Sequence, residues 1–288
     1  MVARLAGSLF SHGILGALFL VAALELVVRA APSPDLSRLA RNAVLVLDAD
    51  GRIVNSFLSP DDKWRFAAKA NAIDPQYLEL LLAYEDRNFY AHPGVDFAAM
   101  IRAAWQAVWS GRVVSGGSTL TMQLVRLLEP RKRVFSEKLA EMLRAIKLER
   151  ALTKSEILDA YLTVAPFGGN IEGIRAASLI YFGKEPAVLT LEESALLVAI
   201  PQAPEARRAD RRPRDARQAR DRVLAVLSGR GVIDRNAVRD AAARPLGVRS
   251  GGLPRLAPHL AARLRGAGAN DGPVLSLIDG GIQAKIER

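Results

Sequence analysis

Half of the 288 residues are hydrophobic, ample for a sizeable core in one or two domains and too many for a disordered chain. The absence of cysteine excludes zinc-finger, thiol-nucleophile and disulfide-scaffold readings and fits an exported domain. A net charge of +10 calls for an anionic partner, and with no recognition helix, zinc motif or RNA-binding signature in the sequence, nucleic acid gives way to acidic lipid or a pyrophosphate.

In chain order, Leu5 to Leu24 carries no formal charge and has about the 20 apolar residues that span a bilayer, which reads as a membrane anchor. A cleaved signal peptide is the rival, since Arg4 precedes the run and Ala30-Ala31 mimics a cleavage site, although the run is longer than a usual signal core. Arg4 lies on one side of it and Glu25, Arg29, Arg38 and Arg41 on the other, so loop charge does not decide orientation. Val44 to Leu47 and Ile53-Val54 flank Asp48-Ala49-Asp50-Gly51, a hairpin signal. Asp74-Pro75 then opens a helix whose Leu78, Leu81 and Leu82 lead at helical spacing to Glu85. A carboxylate in line with three leucines is partly withdrawn from water, the setting a general base needs, while the plainer reading is a helix-end ion pair with Arg87 or Asn88.

Phe97, Met100, Ile101, Ala104, Trp105, Val108 and Trp109 make one face of a further helix. That face either packs in the core or, with Arg102 and Arg112 nearby, forms an interfacial membrane element. Gly116-Gly117 permits a tight turn, and Ser118 or Thr119 caps a helix with Thr119, Gln123 and Arg126 on one face and Leu120, Leu124 and Leu127 on another. Arg131, Lys132 and Arg133 form a basic cluster. Ser136 opens a long helix to Leu152 with Leu139, Met142, Leu143 and Ile146 as its core stripe, and Glu141 off that stripe near Lys138 and Arg144. As a surface salt bridge that last group would carry no function. Thr153 with Glu156, and Thr190 with Glu193, are capping boxes. The arginine-rich run from Arg207 to Arg222 reads as a solvated helix face, with lipid headgroup contact as its alternative, and a short helix follows from about Asp234 to Ala243. Pro245 to Pro273 reads as a linker.

The pattern Glu85-Asp86-Arg87-x-Phe89-x-x-His92-x-Gly94-x-Asp96, followed by Gly116-Gly117-Ser118-Thr119-Leu120-Thr121, resembles the first two signatures of glycosyltransferase family 51, the peptidoglycan glycosyltransferases of class A penicillin-binding proteins. Lys138 with Glu141, then Lys154-x-x-Ile157-Leu158-x-x-Tyr161-Leu162, then Tyr181 to Lys184 with Leu189 to Glu193 and Ala199 to Pro204, are similar to the remaining three in family order. The chain departs from the family at Met122, where glutamine is usual, at Glu137, where arginine is usual, and at Thr163, where asparagine is usual. Pro254 to Leu260 resembles the connector of the 1C branch, and Val274 to Asp279 with Gln283 resembles the first strand of a transpeptidase domain. No serine is followed three residues later by lysine and no Lys-Thr-Gly occurs, so the acylation site of such a domain cannot be built from these residues.

The resemblance implies a mainly α, lysozyme-like glycosyltransferase domain with a small membrane-associated jaw, preceded by one transmembrane helix and a short β-hairpin. Domain boundaries follow as an anchor over 1–30, a glycosyltransferase domain over 31–244, and a linker with the first transpeptidase elements over 245–288. It implies polymerisation of lipid II on a growing glycan held by undecaprenyl pyrophosphate, with moenomycin as an inhibitor that mimics the donor. Glu85 would be the catalytic base and Glu141 the second catalytic carboxylate, with Asp86, Ser118, Thr119, Gln123, Arg126, Arg133 and Lys138 binding substrate. A divalent cation, magnesium or manganese, is the one cofactor it leaves open. It also implies a single pass through the cytoplasmic membrane, the catalytic domain outside among inner-membrane lipids. A muramidase of similar fold and a catalytically weak scaffold are the alternatives; the three departures favour the scaffold and Glu85 with Glu141 opposes it.

Overall fold

The computed structural model describes residues 19, 22, 23, 25–110, 117–132, 134–249, 251–266 and 272–287. The apolar run 5–24 lies almost wholly outside the described residues, as do Gly116 and Arg133, and among the described residues no helix is long and apolar enough to cross a membrane. The chain divides into two compact, mainly helical units: Asp35–Tyr90 with Lys154–Arg288, and Met1–Pro34 with Ala91–Thr153.

The larger unit opens with the expected hairpin, β1 (Val44–Leu47) pairing antiparallel with β2 (Ile53–Phe57). Its turn closes because Asp48 Oδ1 accepts from the backbone N–H groups of Asp50 and Arg52 at 3.0 and 2.8 Å, and because Gly51 takes a φ of +80°. Strands β3 (Trp64–Arg65) and β4 (Ile171–Glu172) pair in parallel, and β5 (Val274–Leu275) joins β1 in parallel to give the order β2-β1-β5. The stretch read as a linker is folded in part: it holds the Pro258–Gly266 helix, and Leu256 exchanges hydrogen bonds with Val54 and Asn55 on β2.

The Leu191–Ala199 helix is the core of this unit, buried at every residue from Ser194 onward. Glu193 fixes its start by accepting from the backbone N–H of Thr190 at 2.8 Å. The Pro75–Glu85 and Pro213–Gly229 helices both pack on it. Pro75–Glu85 starts as expected, with Asp74 accepting from the N–H of Gln76 at 2.9 Å, but it buries Tyr77, Leu80 and Leu81 and leaves Leu78, Leu82 and Glu85 half-buried. The buried stripe is set by the two helices that flank it, which rotates it away from the leucine line read from the sequence.

The arginine-rich helix is not simply a solvated face. Arg220 is fully buried, and its guanidinium donates to the carbonyls of Arg244 (2.8 Å) and Ala242 (2.9 Å) and to Asp221 Oδ1 (2.8 Å). It thereby satisfies acceptors at the C-terminal end of Arg235–Ala243, whose start Asp234 caps. Arg65 is likewise fully buried, held by Glu172 Oε2 at 2.6 Å, Asp61 Oδ2 at 2.7 Å and the carbonyl of Arg41 at 2.7 Å.

In the smaller unit the Leu120–Leu128 helix packs on Phe135–Ala151, burying Leu120, Met122 and Leu124 with Ala145, Ile146 and Leu148. Of the core stripe read for the long helix only Ile146 is buried; Leu139 is 52% exposed, because the first half of the helix lines a charged cavity instead of the apolar core. The Phe97–Ser110 helix forms as expected, and its large apolar side chains Phe97, Ile101, Trp105 and Trp109 are 46%, 71%, 60% and 83% exposed, so this face is not core.

Candidate active site

In the smaller unit, a cavity of about 430 Å³ lies between the second half of Leu120–Leu128 and the first half of Phe135–Ala151. Among the described residues, five cations line it, Arg126, Arg131, Lys132, Lys138 and Arg144, against three carboxylates, Glu129, Glu137 and Glu141. Lys138 and Glu141 stand one helical turn apart, and Lys138 Nζ donates to Glu141 Oε1 at 2.8 Å and to Ser118 Oγ at 2.7 Å. Arg126 Nη1 approaches the other oxygen of Glu141 at 3.9 Å. The Glu141 side chain is only 11% exposed, so this is not the surface salt bridge that its spacing alone permits. Glu129 Oε2 engages Arg131 at 3.2 Å and Arg144 at 3.5 Å, and Glu137 Oε2 lies 3.6 Å from Arg131.

Backbone geometry holds this arrangement. Thr119, not Ser118, is the N-cap: its hydroxyl accepts from the N–H of Met122 at 3.1 Å and donates to the carbonyl of Gly94 at 2.6 Å, leaving Ser118 to face Lys138. Gly94 has φ +95°, and a Cβ there would stand 2.7 Å from the carbonyl oxygen of Ala145, so only glycine permits this approach to the long helix.

Glu85 ends the Pro75–Glu85 helix in the larger unit. Its Oε1 accepts from Gln202 Nε2 at 2.8 Å, and Gln202 Oε1 accepts from Arg207 Nη1 at 2.9 Å. Arg230 donates to the carbonyls of Ala83 and Tyr84 at the same helix end. Tyr77, fully buried on this helix, has its phenol pushed up by burial first and by the charge of Glu85 second. Asp86 is buried just past the helix as its C-cap.

The structure thus joins Ser118, Arg126, Lys138 and Glu141 directly, spends the hydroxyl of Thr119 on a cap, and leaves Gln123 half-buried on the same helix. Arg133 is outside the described residues. Sequence reasoning missed Gln202, Arg207 and Arg230 around Glu85 and gave Arg131 and Lys132 no role. The signals were present in Pro201-Gln202-Ala203-Pro204 and in the basic cluster. Among the described residues no group of three histidines or carboxylates converges to hold a metal ion, and both oxygens of Glu141 already face cations.

A family model described as Transglycosylase matches residues 50–228. The chain is 42% identical over 245 residues to penicillin-binding protein 1C of Escherichia coli (strain K12), covering 85% of this chain and 32% of that protein. It is 37% identical over 205 residues to penicillin-binding protein 1A of Aquifex aeolicus, covering 71% of this chain and 28% of that protein. The crystal structure of penicillin-binding protein 1A from Haemophilus influenzae aligns over 85% of this chain and 28% of that one, at 17% identity and a TM-score of 0.44. The chain spans about a third of the length of the curated relatives it matches.

Proposed function

This chain belongs to the transglycosylase family, and on that premise we propose that it is a peptidoglycan glycosyltransferase joining lipid II into β-1,4 glycan strands. The observation that carries this reading is the cavity around Glu141, whose excess of cations suits a pyrophosphate. Glu85 takes the proton from the 4-hydroxyl of the incoming lipid II. The freed oxygen attacks the anomeric carbon of the glycan held on undecaprenyl pyrophosphate, and the bond to the pyrophosphate breaks with inversion. Negative charge grows on the departing group, and Arg126, Lys138 and Arg133 neutralise it. Glu141 and Ser118 hold Lys138 in place, and Glu141 also orients Arg126. Asp86 and Gln123 are assigned to the sugars, and Thr119 acts through the turn that presents Ser118. A divalent cation would compete with Lys138 and Arg126 for the oxygens of Glu141, so charge neutralisation is assigned to the protein's own cations.

The apolar run 5–24 is read as a single-pass anchor in the cytoplasmic membrane with the catalytic units outside, and the exposed face of Phe97–Ser110 as the part that meets lipid. Moenomycin is expected to occupy the donor cavity. One observation favours a second reading, a catalytically weak scaffold: Glu137 puts a third carboxylate into the cavity where the family has arginine.

Incubation of the purified chain with labelled lipid II decides between them. Polymer is expected from the wild type, with turnover lowered about 10²–10⁴-fold in Glu85→Gln and moenomycin binding retained. No polymer sustains the scaffold, and shortening of added glycan strands would indicate a muramidase.

A further inference from the structure

The stretch from Pro245 to Pro273 has no task in the mechanism above, yet its folded part closes two further cavities in the larger unit. One, of about 640 Å³, is lined by Trp64 of β3, Asn170 beside β4, Arg208 and Asp210 ahead of the Pro213–Gly229 helix, and Arg249 and Arg255 of the stretch itself. The other, of about 450 Å³, shares Ser56, Trp64 and Arg255 with the first and adds Arg265, so the two form one groove along β2 and β3. None of the residues lining it lines the cavity around Glu141.

Backbone contacts hold the cations in place. The N–H of Arg249 donates to the carbonyl of Tyr181 at 2.8 Å, and Gly183, at φ +72°, has no side chain to displace the Arg249 guanidinium that lies against it. Arg255 precedes Leu256, which is tied to β2, and the Arg265 guanidinium sits over the ring of Phe57 at 4.9 Å. Asp210 is already matched, since Arg208 forks onto it with Nε to Oδ1 at 2.9 Å and Nη2 to Oδ2 at 3.1 Å. Among the described residues, Asp62 is the other carboxylate lining the groove, and the guanidinium groups of Arg249 and Arg255 make no hydrogen bond or ion pair. The groove therefore carries positive charge that the fold leaves unanswered.

We propose that this groove binds an uncrosslinked glycan strand that bears acidic peptides, with a sugar ring against Trp64 and peptide carboxylates on Arg249 and Arg255. The choice of ligand rests on the reading of the chain as a peptidoglycan glycosyltransferase, whose product is such a strand. A half-buried indole offers an apolar face to a sugar ring, while the Asn170 amide and the fixed Arg208–Asp210 pair offer hydrogen bonds to its hydroxyls. A neutral saccharide would leave the two rim arginines without an anion, and a guanidinium fork matches a carboxylate. A membrane surface is the poorer match. The site is concave, and none of the groove residues is among the exposed large hydrophobic side chains that would enter a bilayer.

The test is binding of soluble, uncrosslinked, peptide-bearing glycan strands to the full chain, read by calorimetry and by Trp64 emission in a Trp105→Phe/Trp109→Phe background, which removes the other two tryptophans. Saturable binding with a change in Trp64 emission is expected. Arg249→Ala/Arg255→Ala should weaken it about 10-fold and Arg249→Lys/Arg255→Lys should keep most of it, with thermal melts to identify any loss of folding. Strands stripped of their peptides should bind the wild type about as weakly as intact strands bind the alanine variant, and free peptides should leave Trp64 emission unchanged. Equal binding of intact and stripped strands, or intact-strand affinity unchanged in the alanine variant, overturns the proposal while leaving the glycosyltransferase reading intact. So does a loss confined to phosphatidylglycerol vesicles, which would make the groove a lipid-headgroup contact. No polymer from lipid II by the wild type overturns the glycosyltransferase reading and the choice of ligand with it.

Discussion

Lys138→Met keeps the length and the apolar stem of the side chain and removes one ammonium from the cavity. In the folded chain Nζ is 2.7 Å from Ser118 Oγ and 2.8 Å from Glu141 Oε1, and the side chain is 34% exposed. A unit charge pair at about 4 Å in an effective dielectric of about 20 is worth ~4 kcal/mol, and partial exposure together with the nearby carboxylate reduces this to roughly half. The bound donor already carries a charged diphosphate, and one further negative charge appears as the glycosidic bond breaks. The lost attraction therefore divides. For the added charge it is about 2 kcal/mol, a fall in kcat of about 30-fold, and for the charge already present it is a severalfold rise in KM. Initial polymerisation rates against lipid II concentration measure both, with Lys138→Arg as the charge-retaining control. Rates for Lys138→Met within threefold of wild type in both constants would refute the assignment of this cavity to the pyrophosphate.

Replacing Trp105 and Trp109 together by alanine, in a chain lacking the residues before Arg29, is expected to weaken sedimentation with anionic liposomes markedly, since both side chains are mostly exposed; unchanged sedimentation would remove this helix from the lipid contact. Glu137→Gln takes a negative charge out of the cavity and is expected to lower KM for lipid II about 3–10-fold, and a higher KM would mean that Glu137 organises Arg131 productively. Asp61 links stability to acid: burial opposes its ionisation, but hydrogen bonds from Arg65 and Ser59 outweigh burial and bring the carboxyl from 3.8 down to about 2. Its folded-state value is depressed, so its contribution of roughly 2 kcal/mol is present above pH ~4 and lost as the pH falls toward ~2. Urea unfolding between pH 2 and 5 should show a shallower pH slope in Asp61→Asn than in wild type, and an equal slope would show that Asp61 is not the titrating group.

Much of this fold was legible because local chemistry and tertiary packing agree. The Asp48 to Gly51 turn, the Asp74-Pro75 helix start and the Glu193 cap each depend on side chains bonding backbone within a few residues, a scale that a sequence displays directly. The buried stripes were less legible. Tyr77 and Leu80 are buried where Leu78 and Leu82 were expected, because the face a helix buries is chosen by which helices flank it. Arg220 and Arg65 were invisible as core residues, since a buried guanidinium is stable only with partners distant in sequence, the carbonyls of Ala242 and Arg244 in one case and Glu172 in the other. At the candidate site, Glu141 and Lys138 stood out through their match to the third family signature, their spacing alone permitting a plain surface salt bridge, whereas the hydrogen bond from Gln202 to Glu85 joins residues 117 positions apart and leaves no periodic trace.

The three departures from the family signatures do not carry equal weight once they have a place in the fold. Met122 has no exposed surface and packs within the core of its unit, so the lost glutamine amide is absorbed as apolar volume away from the cavity. Thr163 is buried too, and its hydroxyl accepts from the N–H of Ala68 at 3.1 Å and donates to the carbonyl of Asp159 at 2.8 Å, a helix-to-chain tie made entirely with backbone. Glu137 alone lines the cavity, and it does so 3.6 Å from Arg131, a cation also bound by Glu129. The case for an idle scaffold therefore narrows to one carboxylate. It acts on a cavity where Arg126, Lys132 and Lys138 remain to meet an anion, and where the Lys138–Glu141 pair stands with its hydrogen bonds made. A charge balance that still favours cations weakens donor binding more readily than it abolishes it, so the departure at Glu137 argues for a tuned enzyme over an inert one.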